Sequence, residues 1–194
     1  KNTNHSLFDK YEMIKDLGTG SSGSVTLVRH ISMDQERALK KVPKASAFAE
    51  SALSEARLLK SLEHPSIPRI FDFEEDNAFY YIVEEYIDGE TLDSFLLHQQ
   101  LISPGLFFNI CEQLCNIFIY LHTQISTPII YRDLKPEHII VCHNKLKLID
   151  FGVSAYVIQD GNNFNHYGNI EFSAPECFTE DTITPAADLY SLGQ

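Results

Sequence analysis

The 194-residue sequence is short of basic residues, of long apolar runs and of paired cysteines. It has 15 Lys and Arg against 27 Asp and Glu, a net charge of −12, which disfavours nucleic acids and anionic membranes because both would be repelled. No apolar run approaches the roughly 18 residues that span a bilayer, and the polar N-terminus lacks the apolar core of a signal peptide. We therefore expect no nucleic-acid partner and no direct membrane contact by this segment.

The four cysteines, Cys111, Cys115, Cys142 and Cys177, form no C-x-x-C pair. Cys111 and Cys115 lie four apart on a helical apolar face, where small buried thiols are common, so packing is favoured over metal binding. Reduced thiols fit a cytoplasmic location. The 44% of hydrophobic residues suffice for a buried core.

Alternating and helical patterns follow one another along the chain and predict an α+β fold. Residues 11–42 read as a three-stranded meander, 48–62 as an amphipathic helix, and 67–73 and 79–85 as two further strands of one sheet. Ser103 and Pro104 then predict a capped helix that runs to Leu121. Its buried side would carry Phe107, Ile110, Cys111, Leu114, Phe118 and Leu121.

Two apolar runs, residues 139–142 and 146–149, flank the turn residues His143-Asn144-Lys145 and predict a β-hairpin. This hairpin would hold Asp133 and Asp150 near one cleft. One carboxylate could orient a nucleophilic hydroxyl and the other could hold a metal ion, as phosphoryl transfer requires. Taken singly, each aspartate is better explained as a loop cap.

The turn after the first strand contains Gly18, Gly20 and Gly23 in a G-x-G-x-x-G pattern. Glycines there let backbone amides approach phosphate oxygens closely. A dinucleotide-binding fold would continue with a helix, but residues 24–28 are rich in β-branched side chains and typical of a strand. A hairpin that covers nucleotide phosphates is therefore the better interpretation.

From about Tyr11 onward the sequence resembles the eukaryotic-type serine/threonine protein kinase family. The resemblance implies one two-lobed domain over residues 1–194, with an N-lobe of about 9–85, a hinge of about 85–91 and an incomplete, mostly helical C-lobe of about 92–194. The N-lobe would hold a five-stranded antiparallel sheet and a helix. The motifs that carry the resemblance are the glycine turn, Ala38-Leu39-Lys40, Glu55, Arg132-Asp133-Leu134-Lys135-Pro136-Glu137, Asp150-Phe151-Gly152 and Ala174-Pro175-Glu176.

The same resemblance implies a role for each site residue, with ATP and Mg²⁺ or Mn²⁺ as cofactors. The catalytic residues would be Asp133, Lys135, Lys40 and Glu55, and the metal ligands Asp150 and His138. The nucleotide would contact Gly18, Gly20, Gly23, Val25, Ala38, Lys40, Glu85, Ile87 and Ile140.

Three departures from the family pattern bear on function, whereas Tyr131 in place of the usual histidine does not trouble the assignment. His138 replaces an asparagine that binds the second magnesium ion, and imidazole nitrogen is a poor ligand for that cation. Asn169 stands in place of a threonine, and Glu84 brings a carboxylate to the back of the adenine pocket. These changes keep open a second hypothesis, a nucleotide-binding pseudokinase that acts as a scaffold or allosteric partner.

The first hypothesis is an ATP-dependent kinase that phosphorylates a protein substrate on serine or threonine, as Lys135 implies. In either case an incomplete C-lobe would leave Leu189, Tyr190 and Leu192 uncovered. We expect self-association through these residues.

Overall fold

A computed structural model of the chain shows two compact units, Lys1–Glu63 with Pro68–Ile87 and His64–Ile67 with Asp88–Gln194. The fold is α+β, as the sequence predicts. Among the described residues, no helix is both long and apolar enough to cross a membrane. The structure describes residues 7–20, 23–99, 101–156, 170–179 and 183–194.

The first unit is built on a five-stranded antiparallel sheet with strand order β1-β2-β3-β5-β4. The predicted meander, helix and two further strands are confirmed, although the fourth strand starts three residues later than expected. The elements are α1 (Leu7–Lys10), β1 (Tyr11–Gly20), β2 (Gly23–His30), β3 (Gln35–Pro43), α2 (Ala49–Lys60), β4 (Ile70–Glu75) and β5 (Phe79–Glu85).

Side chains alternate between the two faces of this sheet because successive strand residues point in opposite directions. On one face Leu39, Tyr81 and Val83 pack with Leu7 of α1 in one apolar cluster. On the other face Val42 and Ile82 pack with Ala52 and Ala56 of α2 in a second cluster. Lys40, next to Leu39 on β3, therefore points to the face that α2 covers.

The second unit is mostly helical and also contains two small sheets, ordered β6-β8-β9 and β10-β7. A π-helical turn, Tyr120–Gln124, extends α4, and a 3₁₀ turn, Pro136–His138, precedes β8. The elements are β6 (Glu90–Thr91), α3 (Leu92–Leu97), α4 (Pro104–Ile119), β7 (Ile129–Ile130), β8 (Ile139–Cys142), β9 (Lys145–Leu148), β10 (Ala155–Tyr156), α5 (Glu176–Thr179) and α6 (Ala186–Leu192).

Helix α4 begins where the sequence predicts, because the Ser103 hydroxyl accepts the Leu106 N–H at 3.2 Å and Pro104 opens the first turn. Its buried side is shorter than predicted. Leu114 and Phe118 are buried, but Phe107 is 55% exposed. The prediction for Phe107 was wrong, because apolar spacing identifies a face and not the element that covers it.

The predicted hairpin of β8 and β9 is confirmed, with a two-residue turn at its tip. His143 and Asn144 both have positive φ angles, 49° and 61°. Such turns match the right-handed twist of the flanking strands. The hairpin fixes where the chain enters at His138 and where it leaves toward Asp150.

Candidate active site

Lys40 and Glu55 form a close ion pair inside the first unit. The Lys40 Nζ lies 2.8 Å from the Glu55 Oε2, and the two side chains are 22% and 10% exposed. The contact follows from the strand alternation, which turns Lys40 toward α2. An ammonium held in this way is oriented, and it could neutralise phosphate charge.

The glycine turn joins β1 to β2, with Gly18 and Gly20 at the end of one strand and Gly23 at the start of the next. Gly23 has a φ of 138°, and a Cβ there would clash with the Lys41 carbonyl, so only glycine fits. The Gly18 N–H donates to the Asp16 carboxylate at 2.9 Å. Ser21 and Ser22 lie outside the described residues.

The other predicted nucleotide contacts of the first unit lie on or just after its strands. Ala38 is buried on β3 and Val25 half-buried on the neighbouring β2. The Glu85 N–H donates to the Arg69 carbonyl at 2.9 Å. Because this donor is occupied, a hydrogen bond from Glu85 to adenine would use the Glu85 carbonyl oxygen. Ile87, two residues beyond β5, is half-buried.

In the second unit, Asp133 and Lys135 lie side by side in the loop before β8. The Lys135 Nζ is 3.3 Å from the Asp133 Oδ2, and the side chains are 23% and 20% exposed. Both can therefore reach a ligand while they stay oriented. Ile140 follows on β8, where it pairs with Thr91 of β6.

Asp188 fixes the backbone of this loop through hydrogen bonds, a role that sequence reasoning missed. It is fully buried on α6, and its two oxygens accept the N–H groups of Tyr131 and Arg132, each at 2.8 Å. The His122 Nε2 lies 2.8 Å from the same carboxylate. Arg132 has a φ of 71°, a strained conformation that these bonds hold. The available signal was that Asp188 is the one charged residue of α6.

Asp150 follows the hairpin with a φ of 61° and a side chain that is 55% exposed. The Gly152 N–H donates to its Oδ1 at 3.3 Å. The next residue, Phe151, is buried and packs edge-on against the Tyr131 ring at 5.1 Å between centroids. The Asp150 carboxylate is thus held by the Gly152 N–H and by the buried neighbour Phe151, and it remains accessible to a ligand.

His138 lies between the two aspartates. Its Nδ1 is 3.0 Å from the Asp133 carbonyl oxygen and 3.3 Å from the Tyr131 hydroxyl, and its Nε2 is 3.4 Å from the Asp150 Oδ2. Among the described residues, no group of three or more His, Cys, Asp or Glu side chains could hold a metal ion. Asn169, another altered position, lies outside the described residues.

The family model for the protein kinase domain matches residues 11–194, the stretch that carries every motif above. This chain belongs to the protein kinase family. The family and its α+β fold, with a five-stranded sheet in the first unit, agree with the sequence prediction.

Curated relatives of this protein kinase include PrkC, a serine/threonine-protein kinase of Bacillus subtilis, which is 30% identical over 95% of the chain and 29% of its own length. Another is ppk25 of Schizosaccharomyces pombe, 34% identical over 92% of the chain and 43% of its own length. Calcium-dependent protein kinase 4 of Plasmodium falciparum is 32% identical over 100% of the chain and 38% of its own length. The chain thus spans less than half the length of these relatives.

Proposed function

We propose that this protein kinase is an ATP-dependent serine/threonine kinase of the cytoplasm that acts on a protein substrate. The observation that carries the proposal is the Asp133 carboxylate, held 3.3 Å from the Lys135 ammonium on a loop that Asp188 fixes. A base next to a cation is the arrangement that transfer of a phosphoryl group to a hydroxyl requires.

In the proposed reaction Asp133 orients the acceptor hydroxyl and takes its proton. The acceptor oxygen forms a bond to the γ-phosphorus, and the bond from that phosphorus to the bridging oxygen breaks, so its electron pair leaves with ADP. Lys135 and Lys40 offset the charge on the phosphate oxygens. Glu55 keeps Lys40 in place, as the 2.8 Å ion pair between them supports.

The side chains near Asp150 fit a divalent cation, which would supply charge neutralisation at the phosphates. Asp150 offers an exposed carboxylate, the oxygen donor that such ions prefer. His138 adds a nitrogen donor, which suits Mn²⁺ better than Mg²⁺. We therefore propose Asp150 and His138 as the metal ligands of this chain and Mn²⁺ as the more effective ion.

A nucleotide-binding pseudokinase that acts as a scaffold is the second candidate. It is favoured by the position of the His138 ring, whose nitrogens already lie within 3.4 Å of Asp133 and Asp150. Such a ring could hold both carboxylates in place with no metal ion between them. A pseudokinase of this kind would bind ATP through Lys40 and the glycine turn but would not transfer its phosphoryl group.

Two measurements on the full-length protein separate the candidates. Stabilisation against heat by millimolar ATP with Mg²⁺ or Mn²⁺ reports nucleotide binding, and both candidates predict it. Transfer of labelled phosphate to a mixed protein substrate, followed by phosphoamino-acid analysis, reports chemistry. The kinase proposal predicts phosphoserine or phosphothreonine that disappears in Asp133→Asn. Binding without any transfer would leave the scaffold as the function.

A further inference from the structure

Helix α1 has only four residues, and a helix of this length is not stable in water without contacts to the rest of the fold. Its main contact is Leu7, whose side chain is fully buried in one cluster with Leu39 and Tyr81. The Phe8 ring packs edge-on against the Tyr81 ring at 5.3 Å between centroids. Helix α1 therefore exists only while it is docked on the five-stranded sheet.

Two carboxylates of the edge strand β4 bind the two ends of α1. The Leu7 N–H donates to the Glu74 Oε2 at 2.8 Å, and the Lys10 Nζ lies 2.7 Å from the Asp72 Oδ2. Asp72 and Glu74 are alternate residues of β4, so both side chains lie on the face of the sheet that α1 covers. Both bonds need α1 in its docked position, and they are lost together when α1 leaves the sheet.

Docking of α1 bears on the nucleotide site through strand β3, the middle strand of the sheet. Leu39 of β3 packs with Leu7 on the face that α1 covers. The next residue, Lys40, points to the opposite face and lies 2.8 Å from Glu55 of α2. Strand β3 is thus held from both faces, and the position of the Lys40 ammonium depends on α1 as well as on α2.

We propose that α1 is a conformational strap whose docking on the sheet is coupled to nucleotide binding at Lys40 and the glycine turn. In the docked state Leu7 fixes Leu39, and β3 presents Lys40 in the geometry that binds phosphate oxygens. In the undocked state β3 loses this packing, and nucleotide binds more weakly. The coupling is reciprocal, so a bound nucleotide also strengthens docking. The nucleotide in this inference rests on the proposed function, but the docking of α1 does not.

Hydrogen exchange at the Leu7 amide measures docking directly, since this N–H is bonded to Glu74 only in the docked state. Millimolar ATP with Mg²⁺ or Mn²⁺ should slow its exchange in the 194-residue chain about 5-fold or more. The Leu106 amide, which donates to Ser103 in the second unit, is the control and should not change. Stabilisation against heat by ATP with unchanged exchange at Leu7 would overturn the coupling and leave nucleotide binding in place. No stabilisation by ATP would overturn both.

Variants of α1 test the coupling in the reverse direction. Leu7→Ala removes most of the buried side chain, and Lys10→Met removes the ammonium that binds Asp72 but leaves the apolar cluster intact. Each should weaken ATP binding, measured by isothermal titration calorimetry, about 5-fold or more. Lys44→Met is the matched control, because it breaks a 2.7 Å ion pair to Glu75 that does not involve α1, and it should leave the affinity unchanged. Wild-type affinity for ATP in the double variant Leu7→Ala, Lys10→Met would overturn the proposal.

Discussion

The Lys40–Glu55 ion pair of the proposed site lies within the first unit, and both of its side chains are largely buried. Glu55→Gln keeps the size of the side chain but removes the charge that faces the Lys40 ammonium. We expect it to lower the free energy of unfolding by about 1–3 kcal/mol, because the poorly solvated ammonium then faces a neutral amide in place of a carboxylate. Urea denaturation measures this change.

The matched control is Glu50→Gln, at an exposed position five residues earlier on α2. It should change stability by no more than about 0.5 kcal/mol. If the two variants were equally stable, the Lys40–Glu55 contact would not be oriented in solution.

His64 should make the second unit less stable in mild acid. Its Nδ1 accepts the Ser66 N–H at 3.1 Å and its ring packs on Tyr120. Burial, and to a lesser degree the nearby Lys147 charge, lowers the pKa of His64 below its usual value. Below about pH 6.5 the unfolded chain therefore binds a proton at His64 more readily than the folded chain does. The stability of the folded state decreases as the pH is lowered.

Denaturation at a series of pH values tests this effect. His64→Asn retains an acceptor for the Ser66 N–H but cannot titrate, so its stability should fall less between about pH 7 and about pH 5. His143→Asn, at an exposed turn position, is the control and should keep the wild-type slope. A His64→Asn slope as steep as that of wild type would refute the assignment.

At the scale of elements, one glutamine ties α4 to the β8–β9 hairpin. The Gln113 Oε1 accepts the Leu146 N–H at 2.9 Å, and its Nε2 donates to the Asn144 carbonyl at 3.1 Å. Gln113→Ala should cost about 1–3 kcal/mol, since a backbone donor loses its partner. Hydrogen exchange at the Leu146 amide should also accelerate.

Gln113→Glu is the matched variant, because its carboxylate can still accept from Leu146 but cannot donate to Asn144. It should protect the Leu146 amide nearly as well as wild type. Fast exchange at Leu146 in both variants, or in neither, would mean that the glutamine does not hold the hairpin.

The elements that sequence reasoning predicted well are those whose signals are local. Two apolar runs and the turn residues His143-Asn144-Lys145 predict the hairpin, and alternation around glycine predicts the first strands. Burial of Phe107 was predicted wrongly, because it depends on a covering element. The bond from the Tyr131 N–H to Asp188 joins residues 57 positions apart, and no local pattern encodes such a contact.

At the scale of the whole molecule, exposed apolar side chains favour self-association, and the net negative charge opposes it. The second unit exposes Phe107, Phe108, Leu189 and Tyr190 by 55%, 68%, 55% and 43%, while the net charge is −12. We expect concentration-dependent self-association of the 194-residue chain that strengthens with salt, because salt screens the repulsion between copies. Light scattering over a range of salt concentrations measures it.

Phe108→Ser and Leu189→Ser should each weaken that association. Met33→Ser, at a residue 63% exposed in the first unit, should not. A monodisperse monomer at high protein and high salt concentration would contradict the prediction.

Single-turnover transfer from labelled ATP in the full-length protein tests most directly the proposal that Asp133, His138 and Asp150 serve metal-dependent phosphoryl transfer. Wild type should transfer faster with Mn²⁺ than with Mg²⁺, and His138→Asn should raise the rate with Mg²⁺, because an oxygen donor replaces a nitrogen. Asp133→Ala should lose at least about 100-fold. Background rates for His138→Asn with both ions, together with an Asp133→Ala variant no different from wild type, would contradict the account.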